Sequence, residues 1–176
     1  DVLVGGNIGV PLSAHVDQST AETLHVVEAS SFQLEATDTF HPWIAALLNL
    51  SADHLDRHPD EASYAAAKAR IFAVQTADDW RVVNADQAAT IALARGGAAR
   101  ELRYSSTQTL DHGVSVRDGV VWQRSGDGET ALAPLGAVRL PGRHMTSNVV
   151  AACAISALAG ATPTGMTTAL ESFAGL

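Results

Sequence analysis

The sequence predicts an α/β domain: a mostly parallel sheet flanked by helices, with a small antiparallel hairpin region. Three observations predict it. Over residues 1–100, short continuous apolar runs suited to parallel strands alternate with helix-like stretches. Over residues 101–141 the pattern changes to period-two stretches broken by Gly, Asp and Pro. Residues 142–176 read as closing helices, so the chain is expected to be a single domain in those three parts.

Taken in order, Val2-Leu3-Val4 is an apolar strand that runs into Gly5-Gly6-Asn7-Ile8-Gly9 and then a helix-like stretch from Pro11 to about Gln18. Leu24-His25-Val26-Val27-Glu28 is a second short strand, followed by a Ser-rich turn and a short helix. Trp43 to Leu50 is continuously apolar and fits a strand covered on both faces. Glu61 to Gln75 is Ala-rich with apolar residues at helical spacing, and Arg81-Val82-Val83-Asn84 follows as a strand. In the third quarter, GVSVRDGVVWQ alternates around Arg117-Asp118-Gly119, a hairpin turn signal. Met145 to Leu158 is a helix ended by Gly160, and Thr164 to Phe173 is another.

Composition narrows the function classes. At 176 residues and 47% hydrophobic, the chain can bury a core of its own. No run approaches the roughly 18 apolar residues of a membrane-spanning helix, and no basic segment precedes an apolar stretch at Asp1, so neither membrane insertion nor a targeting signal is expected. The single cysteine, Cys153, lies in an apolar run and reads as a buried inert thiol, which fits a cytoplasmic location. A formal charge of −8 with 11 scattered cations argues against nucleic-acid binding. An anionic ligand would need metal ions or backbone amides.

Several residues at strand ends could carry chemistry. Glu28 closes an apolar strand, at the edge where open α/β sheets bind ligands; it reads either as a magnesium ligand or as a charge or cap on the helix that follows. The run from Asn49 to Pro59 packs Asp53, His54, Asp56, Arg57 and His58 behind another buried strand, and reads as a metal- or phosphate-binding loop or as a solvated turn. Lys68 sits among alanines, as an exposed helix lysine or as a residue that another group can approach closely. The Gly5–Gly9 turn could offer backbone amides and the Asn7 side chain to a ligand, though glycine-rich turns also arise for steric reasons. No Gly-Lys-Ser/Thr phosphate loop occurs anywhere in the chain.

Five motifs in order, Gly5-Gly6-Asn7-Ile8-Gly9, Val27-Glu28-Ala29-Ser30-Ser31-Phe32-Gln33-Leu34, Asp53-His54-Leu55-Asp56-Arg57-His58-Pro59, Ala67-Lys68-Ala69-Arg70-Ile71 and Val83-Asn84-Ala85-Asp86, resemble the central, ATP-binding domain of the Mur ligases. The Glu-x-Ser-Ser-Phe-Gln-Leu wording is similar to that of the branch that adds D-glutamate. The resemblance implies ATP-dependent amide synthesis in peptidoglycan precursor assembly: the carboxylate of UDP-N-acetylmuramoyl-L-alanine is phosphorylated, and the amine of D-glutamate attacks the acyl phosphate. It further implies two Mg²⁺ ions, one held by Glu28 and one by His54 and a carbamylated Lys68, with His54 and Lys68 serving catalysis. Asn7, Ser30 and Gln33 would contact the muramoyl substrate, and Asn148 and His144 the nucleotide. A monomer is expected.

Two departures qualify the resemblance. The family carries Gly-x-His-Asn-x-x-Asn, whereas Gly142-Arg143-His144-Met145-Thr146-Ser147-Asn148 has Met145 at the first Asn. The family's phosphate loop and nucleotide-sugar domain lie upstream of Gly5, and its glutamate-binding domain follows Leu176. The sheet is therefore expected to be incomplete at its N-terminal side, and the chain alone to be inactive. The alternatives are a non-catalytic Mur-like module that binds a nucleotide sugar or a partner protein, and another ligase of the Mur and folylpolyglutamate type.

Overall fold

The computed structural model describes residues 1–51, 58–126, 128–139 and 142–175. The chain divides into two compact units, one of Asp1–Phe40 with Asp53–Arg70 and one of His41–Ala52 with Ile71–Leu176.

In the first unit, β1 (Val2–Gly6) and β2 (Leu24–Glu28) pair in parallel, from Val2↔Leu24 to Gly6↔Glu28. The stretch that connects them, expected as a helix from Pro11, is a 3₁₀ helix over Leu12–Gln18, with His15 buried and its Nε2 3.2 Å from the Val4 carbonyl. A short helix, α1 (Ser31–Glu35), follows β2, and α2 (Glu61–Ala69) starts where the Asp60 side chain accepts a 2.7 Å hydrogen bond from the Ser63 amide. The helix expected to reach Gln75 leaves α geometry at Arg70. There the Arg70 guanidinium turns back to donate to the Leu34 and Thr37 carbonyls at the end of α1.

In the second unit a six-stranded sheet runs in chain order: β3 (Ile44–Leu47), β4 (Trp80–Asn84), β5 (Arg100–Ser105), β6 (Gly113–Arg117), β7 (Val120–Ser125) and β8 (Gly128–Pro134). It is parallel from β3 to β6 and antiparallel from β6 to β8. This is the mostly parallel sheet that the sequence predicts, but β5, which falls in the expected hairpin region, pairs in parallel with both neighbours. Parallel pairing ordinarily needs a crossover of a dozen or more residues. Here β6 overlaps β5 only at Tyr104↔Val114 and Ser105↔Ser115, so it starts where β5 ends and runs on in the same direction, and the short link 106–112 suffices.

The β6–β7 hairpin turns through Asp118 (φ 51°) and Gly119 (φ 75°). Two positive φ values in a two-residue loop are the geometry whose twist matches paired strands. Helices α3 (Ala88–Leu93), α4 (Arg143–Leu158) and α5 (Pro163–Ser172) complete the unit. The short α3 has no side-chain cap, which is why the sequence shows no start signal for it. Val82, Leu102, Tyr104, Val114, Val121 and Leu132 of the sheet pack with Val149, Val150, Cys153 and Ala154 of α4 and Met166 of α5 to form the core. Gly160, at φ 84°, ends α4 as expected. Gln75 belongs to this unit and not to a helix: it is buried, and its Nε2 donates to the Pro42 and Trp80 carbonyls, each at 2.9 Å.

Candidate functional site

At the carboxyl edge of β1 and β2, Gly6 has φ 125° and a Cβ placed on it would lie 2.2 Å from the Glu28 carbonyl oxygen. Only glycine lets the chain turn this closely. The turn is closed by Gly6 N–H to the Val10 carbonyl at 2.9 Å and by Asn7 N–H to the Glu28 carbonyl at 2.7 Å. These bonds set Asn7 and Glu28 side by side with both side chains exposed. A groove beside them is lined by Gly6, Pro11, Glu28, Ala29, Gln33 and Phe40.

Ser30, not Glu28, caps α1. Its hydroxyl accepts from the Gln33 amide at 3.3 Å, and the Ser30 amide donates to Gln33 Oε1 at 3.0 Å, a reciprocal capping box. Of the two readings of Glu28, the helix-cap one is thereby taken by another residue, and the Glu28 carboxylate has no hydrogen-bond or ion-pair partner among the described residues. Ser30 and Gln33 are spent partly on each other, although the Gln33 Nε2 donors have no acceptor among the described residues. The same edge therefore presents a carboxylate and the side-chain amides of Asn7 and Gln33, while the Gly6 and Asn7 backbone amides are taken up in closing the turn.

Lys68 lies in the last turn of α2, half-buried, with its ammonium 5.8 Å from the centre of the Tyr64 ring. His54, with Asp53, Asp56 and Arg57, falls outside the described residues, so its expected metal role has no geometry here.

A residue that sequence reasoning does not single out is His58. It is 2% exposed, its Nε2 lies 3.0 Å from Ser31 Oγ and its Nδ1 3.5 Å from a Glu35 carboxylate oxygen. Its ring stacks on Phe32 at 5.5 Å and meets Tyr64 at 5.2 Å, so it ties α1 to α2. Only its place in a polar run hints at a role; the burial depends on helices brought together by the fold.

In the second unit the carboxyl ends of β4 and β5 carry a dense polar network. The Asp86 carboxylate accepts from Ser105 Oγ (2.5 Å), Ser106 N–H (2.8 Å) and Oγ (3.0 Å), and Thr107 Oγ1 (2.7 Å). Burial alone would raise its pKa, but the hydrogen bonds from Ser105, Thr107 and Ser106 outweigh that and hold it below the usual carboxylate value. On α4, His144 and Asn148 are exposed and stand one turn apart on one face. Met145 between them is half-buried and packs against the core. The position at which the resemblance implies an adenine-binding Asn therefore serves packing in this chain.

Residues 4–156 match the Mur ligase middle domain. The chain belongs to that family. It is 41% identical, over 174 residues, to the UDP-N-acetylmuramoylalanine–D-glutamate ligase of Acidobacterium capsulatum, covering 98% of this chain and 38% of that protein. It is 43% identical to the enzyme of the same name from Pelobacter propionicus, covering 98% of this chain and 39% of that one. A solved structure of a UDP-N-acetylmuramoyl-L-alanyl-D-glutamate–2,6-diaminopimelate ligase superposes with a TM-score of 0.68 at 28% identity, over 93% of this chain and 34% of that one. This Mur ligase middle domain thus spans 38–39% of the length of those two relatives. No helix among its described residues is long and apolar enough to cross a membrane.

Proposed function

We propose that this middle domain serves a cytoplasmic UDP-N-acetylmuramoylalanine–D-glutamate ligase, which joins D-glutamate to UDP-N-acetylmuramoyl-L-alanine at the expense of ATP during peptidoglycan precursor synthesis. The observation that carries the reading is 41–43% identity, along nearly the whole chain, to relatives of that name. The site chemistry supports it. Phosphorylating a carboxylate and displacing the phosphate with an amine calls for positioned groups and neutralised phosphate charge rather than a protein nucleophile.

A hard divalent cation such as Mg²⁺ is commonly held by one or two carboxylates plus substrate phosphates and water. An exposed Glu28 at a strand end, unpaired among the described residues, fits that donor set, with His54 and Lys68 as the ligands of a second ion. Bound there, magnesium would neutralise charge on the phosphates. Asn7 and the Gln33 amide, on the same edge as Glu28, would hydrogen-bond the muramoyl substrate and orient its carboxylate, with Ser30 fixing the Gln33 side chain. Asn148 and His144 on the exposed face of α4 would contact the nucleotide.

Lys68 would act as a carbamate. An ammonium beside a cation is repelled, whereas the neutral amine can add to carbon dioxide, releasing one proton and leaving a carbamate whose oxygens suit magnesium. The test uses the full-length ligase with ATP, UDP-N-acetylmuramoyl-L-alanine and a panel of acceptor amino acids, with phosphate release as the readout. Release should require D-glutamate. Lys68→Ala should lose most of the turnover and recover part of it in acetate, which would occupy the vacated place. D-glutamate-independent release or a preference for another acceptor would overturn the ligase assignment, and full turnover of Lys68→Ala without acetate would overturn the carbamate.

A further inference from the structure

His58 is buried, yet no step of the proposed chemistry uses it. Helix α1 grips its imidazole at both ring nitrogens: Nε2 lies 3.0 Å from Ser31 Oγ and Nδ1 3.5 Å from Glu35 Oε1, and those two partners stand one turn apart on the helix. With its proton on Nδ1, facing the carboxylate, the ring offers its Nε2 lone pair to the Ser31 hydroxyl. The Phe32 ring stacks on it at 5.5 Å and 16°, so α1 fixes both the place and the plane of the imidazole. The imidazole in turn meets the Tyr64 ring of α2 at 5.2 Å and 59°. Tyr64 is buried, and Lys68 follows it by one helical turn, with its ammonium 5.8 Å from the centre of the same ring. A continuous series of contacts thus leads from α1 through His58 and Tyr64 to Lys68, all within the first unit.

We infer that His58 is a positioning residue for Lys68: held by α1, its ring sets the tilt of Tyr64, and the Tyr64 ring is the surface over which the Lys68 side chain lies. A lysine has a flexible four-carbon stem, so its tip is placed only as well as the surface beneath it. An aromatic face suits both parts of that side chain, packing the methylenes and attracting the ammonium. Helical spacing puts Lys68 beside Tyr64 but does not decide which way the Tyr64 ring is turned. That is decided by what the ring packs against, and here it packs against an imidazole held at two nitrogens. Lys68 is the only lysine among the 176 residues, so no second amine of this chain can take its place. The consequence for turnover rests on the proposed role of Lys68 in the ligase reaction.

The experiment uses the full-length ligase in two backgrounds, wild type and Lys68→Ala supplied with acetate, each with and without His58→Ala. In the wild-type background His58→Ala should lower kcat by about tenfold, the scale expected when a reacting group is displaced by a fraction of an ångström, with KM for ATP and D-glutamate unchanged. In the acetate-supplied background the same substitution should cost less than about twofold, because acetate is not carried on the Tyr64 ring. A general loss of packing would cost the same factor in both, so an equal cost would overturn the proposal. A second readout needs no turnover: acetic anhydride labels the Lys68 amine in carbon-dioxide-free buffer, and the mass of the peptide that carries it reports the rate. His58→Ala should label about threefold faster than the wild type, the scale of a lost ammonium–ring contact. An unchanged labelling rate would equally overturn the proposal. Should His58→Ala fail to fold, Ser31→Ala, which removes one of the two contacts that hold the ring, enters the same cycle with a smaller expected loss. If the wild type shows no turnover that depends on D-glutamate, the ligase reading fails instead; if Lys68→Ala keeps full turnover or gains nothing from acetate, the carbamate reading fails. In either case the labelling rate decides whether His58 places Lys68.

Discussion

Replacing Gly6 by alanine should be among the most damaging single-methyl additions in the first unit. Gly6 has φ 125°, and the added Cβ would stand 2.2 Å from the Glu28 carbonyl oxygen and 3.0 Å from the Glu28 amide nitrogen. Side chains rarely adopt that backbone region, and the strain costs about 1–3 kcal/mol. The clash is with backbone of the paired strand, which no rotamer can relieve. Separating the strand ends also sacrifices the Asn7 N–H to Glu28 carbonyl bond, worth about 1 kcal/mol net. A total of about 3 kcal/mol corresponds to a melting temperature lower by about 6–12 °C for a chain of this size. Gly9→Ala is the matched control: its φ is 77° but nothing lies within 4 Å of the new Cβ, so only strain of about 1 kcal/mol applies, or about 2–4 °C. Thermal unfolding followed by far-ultraviolet circular dichroism measures both. A Gly6→Ala variant that melts with the wild type, or a Gly9→Ala variant that melts at or below Gly6→Ala, would refute the reasoning.

Three further outcomes are expected. The hydrogen bond from Arg117, with Arg124 adding to it, holds the Glu129 carboxyl at about 2 against an ordinary value of 4.5. Because the folded value is the lower one, the stabilisation is fully present above pH 4.5 and is lost as the pH falls through about 2, so wild type and Glu129→Gln should differ above that window and converge below it; an equal gap at every pH would contradict this. Burial pushes the Cys153 thiol up to about 11, so a thiol reagent at pH 8 should leave it unmodified in the native chain and label it after unfolding, while rapid native labelling would show the site to be open. Met145→Asn, which places an amide against the core, should cost about 1–2 kcal/mol by denaturant titration, and an unchanged midpoint would mean that the Met145 side chain lies outside the packed interior.

Much of the candidate site is legible in the sequence. Glu28 and Asn7 stand at strand ends bounded by glycine and polar residues, and in the fold they do share one edge. Ser30 and Gln33 read as ligand contacts by resemblance, yet the spacing of a hydroxyl residue and a glutamine three positions on also satisfies a capping box, and in the fold the pair bond to each other. The role of His58 cannot be found in the sequence because its burial depends on α1 and α2 together: Ser31 is 27 residues away in the chain. Met145 reads as a lost adenine contact, and its packing against the core is invisible in a local window.

The sequence by itself determined the features that a few neighbouring residues can specify. Apolar runs marked β2 and β4, the Asp118-Gly119 pair dictated a turn with two positive φ values, Gly160 ended α4, and the ordered motifs placed the chain in its family. Such features rest on periodicity, on steric freedom at glycine and on local hydrogen bonds. Tertiary structure alone decided that β5 joins the parallel part, that the helix after Glu61 stops at Arg70 because its guanidinium is drawn to the end of α1, and that Gln75 fills carbonyls of two other segments. It also decided that side chains from β4 and β5 hold the end of β3. Each of these depends on which distant backbone group lies opposite a donor, and that partner is fixed only when the sheet is assembled and its interior closed to water.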